Sequence, residues 1–205
     1  MRHSPSRRRL IGGALALALA PRSSIAAGAG SADLRARLRR GGLVVYFRHA
    51  ATTWSGVDRI DWPRHRQRLL SAEGEAQSRA IGRAFREAAI PIGEVLASPF
   101  ARCADMADIA FGRVETNAAL LGLLSDREGR AGRIAYLRER LSAPPASANR
   151  VIVSHRSNIA AVADVRLGEG DAVVVEPRGG TGFATLAVLG PHDWAALATR
   201  SVSNG

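Results

Sequence analysis

Three short stretches carry side chains of one chemical kind. "LVVYFRHA" runs five apolar residues, Leu43 to Phe47, straight into Arg48 and His49. "EVLASPFARCADMA" places Arg102 just after a strand-like run, and "RVIVSHRSNI" ends its apolar run on Ser154 and His155. An arginine offers a planar fork of donors that fits the oxygens of a tetrahedral anion. An imidazole is nucleophile or proton carrier near neutral pH. Two histidines and two arginines, with helix N-termini close by, make a site for a phosphate dianion.

Such a site needs elements that bring the three stretches together. Runs rich in β-branched and aromatic residues read as buried strands, here 43–47, "EVLAS" and "RVIVS". Helical spacing of Ala76, Ala80, Ile81, Ala84 and Phe85 predicts a helix over 72–89, capped by Ser71 and ended by Pro91. Further helices are expected over "ADLRARLRR" before Gly41-Gly42, over "PFARCADMADIAFG" with Pro99 early in the helix, around 130–141, and over "SNIAAVADVRLG". "RVET" reads as a short strand, "DAVVVEP" and "TGFATLAVLG" as a β-hairpin, and "HDWAAL" as a last helical turn. Residues 50–70 have no period and hold Trp54 and Trp62, which marks a long functional loop. Alternating strands and helices predict an α/β fold of three layers, α-β-α, with a mostly parallel central sheet and a C-terminal β-hairpin. In such sheets ligands bind outside the carboxyl ends of the strands, so Arg48-His49, Ser98 with Arg102, and Ser154-His155 converge on one crevice.

Arg48-His49-Ala50 resembles the Arg-His-Gly signature of the histidine phosphatase superfamily, the phosphoglycerate mutase-like proteins, and "RHAATTW" resembles the longer form of that motif. Ser98, Pro99, Arg102 and Ala107 are similar to the second family motif, and "VIVSHRSNI" to the last. Leu70, Ser71, Gly74 and Gln77 match a Leu-Thr-x-x-Gly-x-x-Gln segment, all in the expected order. The resemblance implies a phosphomonoesterase, independent of metals and cofactors, acting on a small phosphorylated substrate. His49 would be the nucleophile that forms a phosphohistidine, its other ring nitrogen donating to a backbone carbonyl. Arg48, Arg102 and His155 would hold the phosphate oxygens, with Thr52 adding a hydrogen bond. The chain departs from the pattern at Ala50 for Gly, Ala51 for Glu, Ser55 for Asn and Met106 for Thr. The general acid of many relatives lies between the second Arg and the second His, where this chain offers Asp126 first and Glu128 second. Glu169 and Asp171 are less favoured because they precede the hairpin strand. Without an acid, substrates with good leaving groups are preferred, as for the small phosphohistidine phosphatases. A mutase of the same chemistry, or a non-catalytic phosphate or sugar-phosphate binding protein that keeps the pocket, is the alternative.

Composition bounds the rest. The 205 residues, 46% hydrophobic and 23% charged, suit one domain with a sizeable core. The formal charge is +11 and every basic side chain is arginine, which favours anionic ligands at long range. Residues 1–26, with Arg7-Arg8 ahead of the apolar run from Leu10 to Ala20, have the plan of a twin-arginine export signal, too short to span a bilayer. Its cleavage would remove five arginines, lower the charge to about +6 and leave one exported, periplasmic domain, 27–205, with no stable membrane insertion. The export machinery is then a partner through the signal. The arginines are dispersed rather than clustered with aromatics, so nucleic acid is not an expected partner. Cys103, the only cysteine, forms no internal disulfide and reads as a small buried hydrophobe. His49, His65, His155 and His192 show no metal-ligand spacing, and no Gly-x-Ser-x-Gly elbow accompanies Ser154. Composition leaves the oligomeric state open.

Overall fold

A computed structural model of the chain describes residues 29–124 and 128–198. The export-signal reading of 1–26 and the candidate acid Asp126 lie outside the described residues. In chain order the elements are α1 (Ala29–Arg40), β1 (Val44–Arg48), α2 (Ala72–Glu87), β2 (Ile92–Ala97), α3 (Ala101–Phe111), β3 (Glu115–Thr116), α4 (Arg130–Ser142), β4 (Asn149–Ser154), α5 (Arg156–Ala163), β5 (Ala172–Pro177), β6 (Phe183–Leu189) and α6 (Asp193–Ala198). Short 3-10 turns occur at Arg64–Arg66 and Ala118–Leu120. No helix among the described residues is long and apolar enough to cross a membrane.

The six strands form one sheet in the order β3-β2-β4-β1-β5-β6. Pairs β1–β4, β2–β4 and β2–β3 are parallel, while β5 runs antiparallel to both β1 and β6. The sheet is therefore mixed: a parallel half carries the two histidines, and an antiparallel pair closes the other side. Side chains alternate across it, as strand geometry requires. Val45, Phe47, Val151 and Val153 join a buried cluster with Leu38 of α1, Phe85 of α2, Met106 of α3 and Trp194 of α6. Val44, Tyr46 and Ile152 face the opposite cluster, with Leu137 and Leu141 of α4 and Ile159 of α5. Both faces are thus covered by helices, which explains why the core strands read as continuous apolar runs.

Ser71 caps α2 as its type suggests, accepting from the Gly74 amide at 3.1 Å. α3 begins later than expected, with Phe100 as the N-cap and Pro99 ahead of it. α5 is shorter than its sequence suggests. Asp164 ends it in the left-handed region, φ 53°, and residues 165–171 then run as an irregular strap back toward β1.

α2 and α3 pack backbone to backbone at Gly82, where a Cβ would lie 2.2 Å from the Ala110 carbonyl oxygen. Neither partner there is a flexible side chain, so Gly82→Ala is expected to destabilise by about 1–3 kcal/mol. Thermal unfolding checks this, with the exposed neighbour Arg83→Ala as the control expected to move stability by less than about 0.5 kcal/mol.

Candidate active site

The register of β1 and β4 builds the centre of the site. Arg48 pairs with Ser154, so the next residue on each strand, His49 and His155, leaves the sheet side by side. Their ring centroids are 5.8 Å apart with the planes at 66°. The His49 amide donates to the Ser154 carbonyl, and the Gly170 amide donates to the His49 carbonyl, both at 3.0 Å. β2 ends level with β4, and Ser98 at its tip lies 2.9 Å from His155 Nε2. α3 then carries Arg102 back over the same end of the sheet.

These groups line a cleft of about 590 Å³ together with Arg68, Asp58, Glu169 and, at its rim, Ser55, Val57, Leu124, Arg156 and Arg166. Of the residues expected at the site, Arg48, His49, Arg102 and His155 line it. Thr52 does not. Its hydroxyl lies within hydrogen-bond distance of Glu169 Oε1 (3.1 Å), the Trp54 carbonyl (3.2 Å) and the Arg68 guanidinium (2.6 Å), so it braces the cleft wall instead. Glu128 is exposed and is not among the described residues that line the cleft. Asn158 is buried and donates to the Leu121 carbonyl at 2.9 Å, tying α5 to the segment before it. Neither tryptophan of the long loop joins the core: Trp54 is 39% exposed beneath the Arg68 guanidinium, and Trp62 carries Arg66 at 5.1 Å.

His49 is 3% exposed, and its Nδ1 lies 3.0 Å from the Ala50 carbonyl oxygen. A carbonyl only accepts, so the ring proton sits on Nδ1 and Nε2 keeps its lone pair. Burial, followed by the positive charges of Arg102, Arg48 and Arg68, holds the imidazole pKa well below 6.5, against the backbone hydrogen bond that raises it. The ring is therefore neutral at pH 7. His155 is held below 6.5 for the same reasons, burial first, then Arg102 and His49. Its Nδ1 is 3.4 Å from Arg102 Nη2, and since guanidinium only donates, Nδ1 accepts and Nε2–H donates to Ser98. The Tyr46 hydroxyl donates to the His155 carbonyl at 2.8 Å from beneath.

Two carboxylates absent from the sequence motifs order the arginines. Asp58, 1% exposed, takes Arg102 Nη1 on both oxygens at 2.8 and 3.1 Å, and its Oδ2 accepts from the Arg68 amide at 2.9 Å. Glu169 Oε1 accepts from Arg48 at 3.2 Å and Arg68 at 2.9 Å, while Oε2 accepts from the Thr52 amide. Glu169, set aside in the sequence for its place before the hairpin, reaches the cleft because the strap 165–171 follows a short α5. Arg48 also donates to the Leu167 carbonyl of that strap at 3.1 Å. A signal for Asp58 existed: a buried arginine needs a counter-ion, and Asp58 and Asp61 are the only acids of the long loop. Cys103 is buried beside the site, and burial pushes its thiol up to about 12. Among the described residues no group of three or more His, Cys, Asp or Glu is placed to hold a metal ion.

The Leu70–Gln77 segment supports the site from behind. A Cβ on Gly74 would lie 2.0 Å from the Ala51 carbonyl oxygen, and Gln77 Oε1 accepts from the Ala51 amide at 3.1 Å. The start of α2 thereby fixes the backbone that leaves His49.

Comparison with known proteins sets this site in context. Residues 44–131 match the family model of the histidine phosphatase superfamily (branch 1), a segment that includes Arg48, His49 and Arg102 and stops short of His155. No curated protein sequence matches the chain. Among solved structures, the protein histidine phosphatase SixA complexed with tungstate aligns at 16% identity with TM-score 0.55, covering 74% of this chain and 98% of that one. The product of an open reading frame from Mycobacterium tuberculosis aligns at 19% identity with TM-score 0.54, covering 74% and 98%. A protein from Thermus thermophilus aligns at 21% identity with TM-score 0.51, covering 72% and 99%. At these identities the likeness is one of fold.

Proposed function

We propose that this chain is a phosphatase of the histidine phosphatase superfamily, cleaving phosphomonoesters through a phosphohistidine on His49 without a metal. The observation that carries this reading is the His49 ring. It is neutral, its Nδ1 proton is spent on the Ala50 carbonyl, and its Nε2 lone pair belongs to a cleft lined by guanidinium groups. Nε2 attacks phosphorus and the P–O bond to the alcohol breaks, with the bonding pair leaving on that oxygen. Arg48 and Arg102 stabilise the charge on the equatorial oxygens. A dianion beside His155 Nδ1 favours uptake of a proton there, turning that nitrogen from acceptor to donor toward a phosphate oxygen. Water then attacks the phosphohistidine, the P–N bond breaks, and inorganic phosphate leaves.

An alkoxide leaving group needs a proton, which we assign to Asp126 for its place between Arg102 and His155 in the sequence; the exposed position of Glu128 puts it second. Both described carboxylates of the cleft, Asp58 and Glu169, are committed to guanidinium groups. Neither of them can give that proton, so without Asp126 the chain would favour substrates with good leaving groups, aryl phosphates or the phosphohistidine of another protein, over simple alkyl esters. The basic and apolar plan of residues 1–26 supports a periplasmic site of action.

The test is to trap the intermediate. With p-nitrophenyl phosphate labelled in the phosphoryl group, rapid quenching in base is expected to give one equivalent of label that acid releases, as a P–N bond requires. Turnover should persist in a chelator, and His49→Ala should carry no label. Phosphate binding with neither label nor turnover from pH 4 to pH 9 would move the assignment to a non-catalytic phosphate-binding protein.

A further inference from the structure

The cleft holds more positive charge than one phosphate uses. Among the described residues five arginines line it, Arg48, Arg68, Arg102, Arg156 and Arg166, against two carboxylates, Asp58 and Glu169. Asp58 neutralises Arg102, and Glu169 is shared by Arg48 and Arg68. With both histidines neutral, the described lining carries three net positive charges. A phosphomonoester dianion answers two of them.

The surplus has a location. Arg156 opens α5, whose first turn contains no acid, and Arg166 lies on the strap after that helix. Both side chains are exposed at the cleft rim, and among the described residues neither has a salt-bridge partner. Arg156 is close enough to Arg48 for their charges to oppose one another. The same rim is partly apolar, with Val57 63% and Leu124 70% exposed.

We propose that Arg156 and Arg166 form a second anion subsite, so that the preferred substrate is a small phosphomonoester bearing a further negative group, a carboxylate or second phosphate, away from the reacting phosphoryl. This rests on the phosphatase reading and names its substrate class. An anion at the rim relieves the repulsion between Arg156 and Arg48 and leaves His49 facing the phosphoryl group. An arginine fork binds carboxylate and phosphate oxygens alike, so the subsite selects charge and geometry rather than one chemical group.

The test uses pairs of equal shape and similar leaving group: para- and meta-(carboxymethyl)phenyl phosphate against their carboxamides. For at least one isomer the acid is expected to have a kcat/KM about tenfold higher than the amide at low salt, with the gain in KM and a loss of preference as salt is raised. In Arg156→Gln/Arg166→Gln the acid-to-amide ratio should fall toward one. Calorimetry with His49→Ala measures the same preference in binding alone, with inorganic phosphate as reference ligand. Equal affinity for acid and amide in both isomers overturns the subsite, even if both are hydrolysed through His49. Preferential binding of the acid by a protein that hydrolyses none of them keeps the subsite and rejects the phosphatase.

Discussion

His49→Ala is expected to lower kcat toward p-nitrophenyl phosphate by roughly 10⁴-fold or more, because the variant has no atom to accept the phosphoryl group. Loss of a phosphate ligand alone would act differently, raising KM while covalent turnover continued. The acid side of the profile carries a second expectation. Burial and three neighbouring guanidinium groups keep the His49 pKa well below 6.5, so kcat/KM should show no fall at 6.5 as pH is lowered. An acid limb centred there would mean that the nucleophile is solvated, and the site as described would be wrong.

The same depressed values make a claim about stability. Near and below pH 6.5 the unfolded chain takes a proton on His49 and on His155, while the folded protein takes neither until pH reaches the lower folded-state values. The unfolded state thus binds more protons, so stability falls as pH falls from about 7 toward 5. Each histidine contributes a slope of up to about 1.4 kcal/mol per pH unit. His49→Ala, inactive at every pH, should lose roughly half of that slope. Denaturant midpoints at pH 7.5, 6 and 5 measure this in one series. Identical slopes in the two proteins would show that His49 titrates equally in both states.

Much of this was readable before any coordinates because it is local. Apolar runs that end in Arg48-His49 and Ser154-His155 declare themselves as buried strands, and parallel pairing with Arg48 opposite Ser154 brings the imidazoles together. Ser71, Gly74 and Gln77 were visible as a motif, but their purpose was not. Gly74 is required by a carbonyl oxygen on another segment, and Gln77 serves an amide 26 residues away. The carboxylates that order the arginines lie further still from any periodic signal. Asp58 meets Arg102 across 44 residues, and Glu169 meets Arg48 across 121. Glu169 does precede the hairpin strand, but its place in the cleft depends on where α5 stops. A helix continued through "VRLG" would have carried it away, whereas the left-handed turn at Asp164 frees the strap that brings it back. Long-range ion pairing and the point where a helix stops are properties of the assembled chain.

Asp58→Ala is expected to cost about 3–5 kcal/mol of stability, which is large against a total of about 5–15 kcal/mol for a domain. The reason is the partner left behind. Arg102 is 3% exposed and sits 4.3 Å over the Phe100 ring, so without the carboxylate a guanidinium charge is stranded in the protein interior. The Arg68 amide loses its acceptor as well, and with it the end of the long loop comes loose. Asp58→Asn, which keeps the shape and one acceptor oxygen, should cost less than the alanine variant. Arg102→Met/Asp58→Ala should recover part of the loss, because removing both charges leaves neither unpaired, and the double-mutant cycle reads that coupling directly. Activity should not follow stability. The double variant regains folding yet lacks a guanidinium at the phosphate, so its kcat/KM should remain at least about 100-fold below that of the parent. If the double variant proves no more stable than Asp58→Ala, the pair is not the buried ion bridge its geometry describes. If instead it regains activity with folding, Arg102 serves the core and the phosphate is held by other groups.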